Sequence, residues 1–417
     1  MGTDRAVSAN GQSSFINHQF IKGIAVTPQE WIVAVFIFMF GCCIGSFLNV
    51  VIYRVPREKS LVHPGSACPH CGKAIRFYDN IPLLSWLVLR AKCRNCKAPI
   101  SARYFIVELL TGVVFLGVYL AYFYTNVRPT MRAEGTWFIY VLHLILIGAF
   151  IAASGIDLEL WIIPLSICWF VTAAGFIGSA VGGYFIDFGA IRADSLLPTA
   201  SPRTGALAIG AIIGVGVGWL LLRTGVLKRS YDQPAVEEKD SPVHDDRGRP
   251  AGPGPFDEPQ FNHRLEALRE IVFLAPIIAF AVLASAILAT SGPVGAWWSR
   301  VVAHPVVCAL LGSIFGYFVG CATVWATRIL GTLAFGKEAM GLGDVHLMGA
   351  AGAVIGPVMV VIAFFVAPFF GLGWALFQMF SKKIHQLPYG PFLSLAVLTV
   401  MILHDWVLVR VSFVLGQ

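Results

Sequence analysis

Six residues of this sequence have the type and spacing to do chemistry. Cys68 and Cys71 form one C-x-x-C pair and Cys93 and Cys96 a second, inside "CPHCGKAIRFYDNIPLLSWLVLRAKCRNC". Each pair can turn as a tight knuckle that points two sulfurs at one ion, and four thiolates close a tetrahedral structural zinc site. Two disulfides are the alternative, which a reducing cytoplasmic loop disfavours. His70 lies between the first pair but is surplus once four sulfurs are bound. The other two residues are Asp157, in "GIDLELWIIP", and Asp344, in "KEAMGLGDVHLMGAAGAVIG".

Both aspartates border apolar helical runs, as do Glu108 and Glu159, and a carboxylate at a membrane helix centre costs about 2.5 to 3.5 kcal/mol on insertion scales, so each is a functional candidate. Taken singly, Asp344 could be no more than an N-cap and Asp157 a residue at a helix end. Taken together they lie at helix ends on one face of the membrane. Two facing carboxylates can share a proton, one acting as base on a water while the other polarises a carbonyl, which is the chemistry of peptide hydrolysis. Gly341 and Gly343 then acquire a purpose, since glycines permit positive φ and let an extended substrate backbone approach Asp344. The small residues Gly349, Ala350, Ala351, Gly352 and Ala353 allow tight helix packing. The sequence contains neither H-E-x-x-H nor G-x-S-x-G, so it offers no sign of zinc-protease or serine-protease chemistry.

What must position these groups is a membrane bundle. The 417-residue chain is 57% hydrophobic and 13% charged, with a mean hydropathy of +0.74, far from the balance of a soluble globular protein. Apolar runs long enough to span occur at 31–53, 105–124, 137–153, 162–184, 204–222, 271–290, 306–330, 358–380 and 392–409, with a shorter one after Asp344. The expected fold is an all-α polytopic membrane protein of about ten membrane helices carrying a small cytoplasmic zinc-binding loop domain. The net charge of +7 reflects loop placement and gives no sign of nucleic-acid binding. Arg54, Arg57, Lys59, Lys73, Arg76, Arg90, Lys92, Arg94, Lys97 and Arg103 crowd the cysteine loop, and Arg223, Lys228 and Arg229 follow a later helix. The positive-inside rule makes both segments cytoplasmic. Threading from them puts the N-terminus outside and Asp157, Asp344 and the "SKKIHQ" loop inside. The first 29 residues lack the pattern of a removable signal peptide.

The chain therefore divides into an extracytoplasmic tail (1–29), a first helix (30–53), the four-cysteine loop (54–104), helices with the first aspartate (105–227), a linker (228–263) and helices with the GLGD motif (264–417). The linker is rich in Pro, Gly and mixed charge and poor in aliphatics, so it is expected to be disordered and cytoplasmic. Residues 205–227 and 308–333 share a Gly-rich, Arg-bearing pattern, either an internal duplication or two helices using small residues for close packing. Cys42, Cys43, Cys168, Cys308 and Cys321 fall within apolar helices and read as packing residues.

The sequence resembles the type IV prepilin peptidases, membrane aspartic proteases of the GxGD class. The resemblance runs through "FGCCIGSFLNVVIYRVP" (40–56), the cysteine loop with "DNIPLLSWL" (79–87), "RYFIVELLTG" (103–112), "GIDLELWIIP" (155–164), "KEAMGLGDVHLMGAAGAVIG" and "LPYGPFL" (387–393). It covers most of the chain apart from the N-terminal tail and residues 183–305. It implies that Asp157 and Asp344 are the catalytic pair, at the cytoplasmic side of a bacterial inner membrane. It further implies prepilin or pseudopilin substrates cut after a short basic leader, and methylation of the new N-terminus by S-adenosylmethionine. The chain departs from the family pattern in its extra helices, its linker and "HPGS" (63–66). A peptidase without methyl transfer is the alternative within enzymes. A transporter or assembly scaffold using the carboxylates as ion sites is the alternative outside them, and it calls for carboxylates deep in the bilayer and broken helices in matching halves.

Overall fold

The computed structural model describes residues 28–125, 127–228, 230–231, 262–381 and 388–414. Among them the long elements are all helices, α1 (Pro28–Arg54), α2 (Leu84–Val88), α3 (Ala102–Tyr119), α4 (Trp137–Leu160), α5 (Leu165–Phe185), α6 (Phe188–Ala193) and α7 (Pro202–Arg223). They continue as α8 (His263–Leu288), α9 (Pro293–Ala303), α10 (Pro305–Phe335), α11 (Leu342–Ile355), α12 (Pro357–Ser381), α13 (Gly390–Ile402) and α14 (His404–Val414). The fold is the expected all-helical, multi-pass membrane bundle. Residues 1–27, most of the 228–263 linker and most of "SKKIHQ" lie outside the described residues.

Eight helices among the described residues are long and apolar enough to cross a bilayer. The expected span at 392–409 is instead a pair, α13 and α14, bent by 79°. The break has a polar cause. His404 and Asp405 sit at the bend, where Asp405 accepts the Thr130 amide at 3.2 Å and its hydroxyl at 2.9 Å, and the Arg128 Nε lies 3.8 Å from Asp405. Arg128 is itself 2% exposed. A straight helix would carry these groups into apolar surroundings without partners. The segment expected from residue 162 starts as helix only at Leu165, because Trp161 turns the chain left-handed (φ 59°) and Pro164 occupies the N-cap.

The short helix α11 has 14 residues and rises about 21 Å, too little to span about 30 Å of hydrocarbon. It does not need to, because protein encloses it. Helices α10, α5, α12, α13 and α4 pack around it, and Val345, Met348, Ala350, Ala351 and Ala353 have no exposed surface. Small residues make this enclosure possible. A Cβ on Gly316 or Gly320 of α10 would run into the Gly352 and Met348 carbonyls of α11, and one on Gly175 of α5 would lie 3.0 Å from Ala353 Cβ. Without a strong hydrophobic drive between helices in lipid, close backbone approach is what holds such a layer together. Gly210 and Gly214 of α7 meet the α8 backbone in the same way, so the shared pattern of 205–227 and 308–333 serves close packing in both places. At its far end α11 stops at Gly356 (φ 84°), and Pro357 opens α12, a helix stop and start in consecutive residues.

Gly316→Leu should destabilise the bundle by about 1 to 3 kcal/mol, the cost of overpacking, and lower its unfolding midpoint in detergent. Gly216→Ala, whose added Cβ meets nothing within 4 Å, should leave that midpoint unchanged or raise it.

Candidate active site and candidate metal centre

Asp157 lies in the last turn of α4, 5% exposed, and its own carbonyl accepts the Trp161 amide that closes the helix. Its side chain serves a different helix. Oδ2 accepts the Gly390 amide at 3.1 Å, so the carboxylate sits on the N-terminus of α13, where unpaired amides and the helix dipole favour negative charge. A Cβ on Gly390 would lie 2.5 Å from that oxygen and 3.2 Å from Ile163 Cδ1, so only glycine fits there.

Asp344 is not the N-cap of α11. Gly341 takes that place with φ −73° and ψ 149°, and Asp344 follows at the third helical position. It is 9% exposed, faces the Gly341 amide, and lies within electrostatic reach of Asp157. Its Oδ1 is buried without a hydrogen-bond partner. Helix α11 packs on both α4 and α13, so the two sequence-predicted aspartates converge on one site together with Tyr389, Gly390 and Ile163. Gly343 is the contact between the halves, since a Cβ there would lie 2.7 Å from Ile163 Cβ. Neither Gly341 nor Gly343 has a positive φ; that conformation falls to Gly336, before the GLGD loop, and to Gly356. The absent side chain of Gly343 is thus taken up by packing within the chain, and that of Gly341 leaves room 3.4 Å from Asp344 Oδ2.

Sequence reasoning missed Gly390 as a partner of Asp157. The signal was the "YGPF" stretch, with Pro391 in the first turn of a helix. It also missed Arg328, which is 1% exposed in α10 and donates to the Met340 carbonyl immediately before the GLGD loop. A lone Arg near the end of an apolar helix reads from sequence as an interfacial anchor.

The four cysteines assemble as expected. Their sulfurs all lie within 4.8 Å of one another, and Cys68 Sγ is 3.8 Å from Cys96 Sγ. A tetrahedron with metal–sulfur bonds of about 2.3 Å has edges of about 3.8 Å, so the group could hold one metal ion. All four are free thiols. The two knuckles share one design. The Cys68 amide donates to the Lys73 carbonyl at 3.0 Å and the Gly72 amide to the Cys68 carbonyl at 2.9 Å, with Cys93, Ala98 and Lys97 repeating both bonds at 2.8 and 3.0 Å. Gly72 and Lys97 supply the left-handed corners (φ 67° and 58°).

Three contacts fasten this loop. Glu108 of α3, 8% exposed, accepts the Leu83 amide at 2.8 Å. Asp79 pairs with Arg94 at 2.6 Å, and that guanidinium holds its carboxyl below the usual carboxylate range. Arg103, at the start of α3, pairs with Glu159 in the last turn of α4, two residues from Asp157. Glu108 and Glu159, which the sequence offers as candidate carboxylates, are both engaged in holding the loop and its base.

With this geometry in view, the comparisons with known proteins agree on one family. The bacterial peptidase A24 N-terminal domain matches residues 39–122. The prepilin leader peptidase/N-methyltransferase of Myxococcus xanthus is 43% identical over 167 residues, which are 40% of this chain and 45% of that protein. Proteins of the same name from Aeromonas hydrophila and Dickeya chrysanthemi are 32% and 31% identical, over 46% and 48% of this chain and 76% and 79% of their own lengths. The chain thus spans under half of the first relative and about three quarters of the other two. No solved structure matches it.

Replacing Cys68, Cys71, Cys93 or Cys96 by Ser should abolish stoichiometric metal in the purified protein and lower folded yield, because a loop with so little core depends on its ion to fold. Elemental analysis of wild type and variants checks it, and a metal-free wild type would overturn it.

Proposed function

Because the chain belongs to the prepilin leader peptidase/N-methyltransferase family, we propose that it is a membrane aspartic endopeptidase that removes the leader peptides of type IV prepilins or type II secretion pseudopilins. The observation that carries this reading is the convergence of Asp157 and Asp344, from helices far apart in sequence, into one buried site with a carboxylate oxygen left unpaired. Two carboxylates within electrostatic reach of each other disfavour double ionisation, and on this reading they share one proton. The ionised member takes a proton from water, whose oxygen attacks the scissile carbonyl carbon. The protonated member donates to the carbonyl oxygen. On collapse the C–N bond breaks, a proton passes to the leaving amine, and the pair returns to its starting state. Gly341 lines the approach, and the space beside it suits an extended substrate backbone, while Gly343 lets Ile163 pack close to the loop.

The basic residues of the 54–103 loop support a cytoplasmic active site in a bacterial inner membrane, the side on which a basic leader would lie. Zinc is the ion the four thiolates suit best, with a structural role, since four sulfurs leave no open position. The relatives' names include N-methyltransferase, which supports a second activity, transfer of a methyl group from S-adenosylmethionine to the new N-terminal amine.

Asp157→Asn and Asp344→Asn should each reduce leader removal by about 1,000-fold or more while leaving the protein folded and inserted. Asn keeps the size and capping ability of Asp but cannot hold the shared proton. Glu at either position should fail too, since the added methylene displaces the carboxyl. Co-expression with a prepilin, read by mobility shift, measures this, and an active Asn variant would leave the pair only a structural role at the helix ends. Incubating the cleaved product with methyl-labelled S-adenosylmethionine should label its N-terminus, and absence of label would leave a peptidase alone.

A further inference from the structure

Residues 183–305 carry none of the family motifs, yet a residue from this segment reaches the frame of the active site. Glu270 lies in α8 and is 3% exposed. Its carboxylate accepts Arg328 Nε at 3.0 and 3.2 Å and the Trp325 indole at 2.8 Å, and Arg328 Nη2 lies in ion-pair contact with it at 3.0 Å. The remaining nitrogen of the same guanidinium, Nη1, donates to Glu338 at 2.5 Å and to the Met340 carbonyl. One planar fork therefore faces α8 on one side and the stretch before the GLGD loop on the other.

The stretch it holds has little other support. Residues 336–341 connect α10 to α11, starting at Gly336 with φ 65°. The Ala339 amide donates to Thr332 Oγ1 at 3.3 Å, and a Cβ on Gly331 would lie 2.6 Å from Ala339 Cβ, so the connection folds back on the end of α10. Its last residue, Gly341, caps the helix whose third residue is Asp344. Asp344 follows Met340 by only four positions along the chain, and Arg328 also lies within electrostatic reach of Asp344.

The segment beside Glu270 is stitched to the same point. The Tyr231 amide donates to Glu266 Oε2 at 2.8 Å, Glu266 pairs with Arg269 at 2.6 Å, and the Arg328 guanidinium lies over the Tyr231 ring at 5.3 Å. Tyr231, near one end of the long linker, and Glu270, seven residues past its other end, thus both contact Arg328. A buried arginine held on all sides has one orientation, and a planar fork with five donors is suited to imposing it on several acceptors at once.

We propose that Glu270 and Arg328 are positioning residues for the active site, Glu270 fixing the Arg328 guanidinium, which in turn holds Glu338 and the Met340 carbonyl and so sets where Asp344 stands. The segment without family motifs is then part of the active-site frame. The kinetic arm of the test rests on the peptidase reading, and a second arm does not.

In the first arm, Glu270→Gln keeps the shape of the side chain and removes the charge that orients Arg328. The value of kcat for leader removal from a prepilin should fall about 10- to 100-fold with KM within about twofold, since neither residue touches substrate. Arg328→Lys keeps the charge without the fork and should fall as far. Glu270→Asp, which restores the charge one methylene short, should recover part of the loss and serves if the Gln variant folds poorly. In the second arm, hydrogen–deuterium exchange of the purified proteins in detergent needs no substrate. Amides of residues 336–344 should exchange at least tenfold faster in Glu270→Gln, with those of the four-cysteine loop unchanged. Unchanged exchange at 336–344, or faster exchange throughout with kcat per folded molecule preserved, would overturn the proposal in favour of a purely structural ion pair. A wild type that cleaves no prepilin, together with the local change in Glu270→Gln, would sink the peptidase reading and leave the positioning role standing.

Discussion

Two carboxylates held near each other at the edge of a membrane bundle repel, and each loses hydration by being buried. The rest of the structure is organised around tolerating that arrangement at residues 157 and 344. A buried, unpaired ion costs several kcal/mol, so each aspartate is given a helix N-terminus. Asp157 receives the first amide of α13, and Asp344 stands in the first turn of α11. Such placements are worth about 0.3 to 2 kcal/mol each, which offsets only part of the burial. The remainder is carried by the packing that keeps the helices from moving apart, and the unpaired Asp344 oxygen is the part left unrelieved.

That packing depends on α11 being enclosed. A helix too short to span the bilayer would leave polar backbone ends in hydrocarbon unless protein covered them. Five helices cover it here, and the glycines of α5 and α10 let them come close enough. The same glycines that lower intrinsic helix propensity in water raise packing in lipid. The bend between α13 and α14 follows the same rule at another part of the bundle. Arg128, Thr130, His404 and Asp405 gather into one largely buried polar group, and the helix breaks where that group requires it.

The cysteine loop is coupled to this frame at two points. Glu108 takes an amide of the loop from inside α3, and Arg103 at the base of the loop pairs with Glu159 beside the end of α4. A small domain with little apolar core thereby acquires a fixed bearing on the helix that carries Asp157. On the other flank Arg328 ties α8 to the approach of the GLGD loop. Charged side chains at the helix ends link the parts, while the helix interiors are joined by small residues.

Much of this was legible in the sequence. Hydropathy places most of the membrane helices, because in lipid each backbone polar group must be satisfied within its own segment, so spans announce themselves locally, although it leaves open the bend between α13 and α14. The paired C-x-x-C spacing determines the four-cysteine group, which could hold a metal ion, in the same local way, each knuckle being closed by bonds between near neighbours. The aspartates stood out because ionisable residues beside apolar runs are costly and few. Only the tertiary structure decided what each carboxylate faces. Asp157 meets Gly390 across 233 positions of sequence, and Arg328 meets Glu270 across 58. Such pairings depend on which helices are neighbours and on their rotation, which the hydropathy of individual segments leaves open. For the same reason the glycines of the GLGD loop could be read as permitting positive φ, when the packed structure uses the bare face of Gly343 against Ile163 and places the left-handed turn at Gly336.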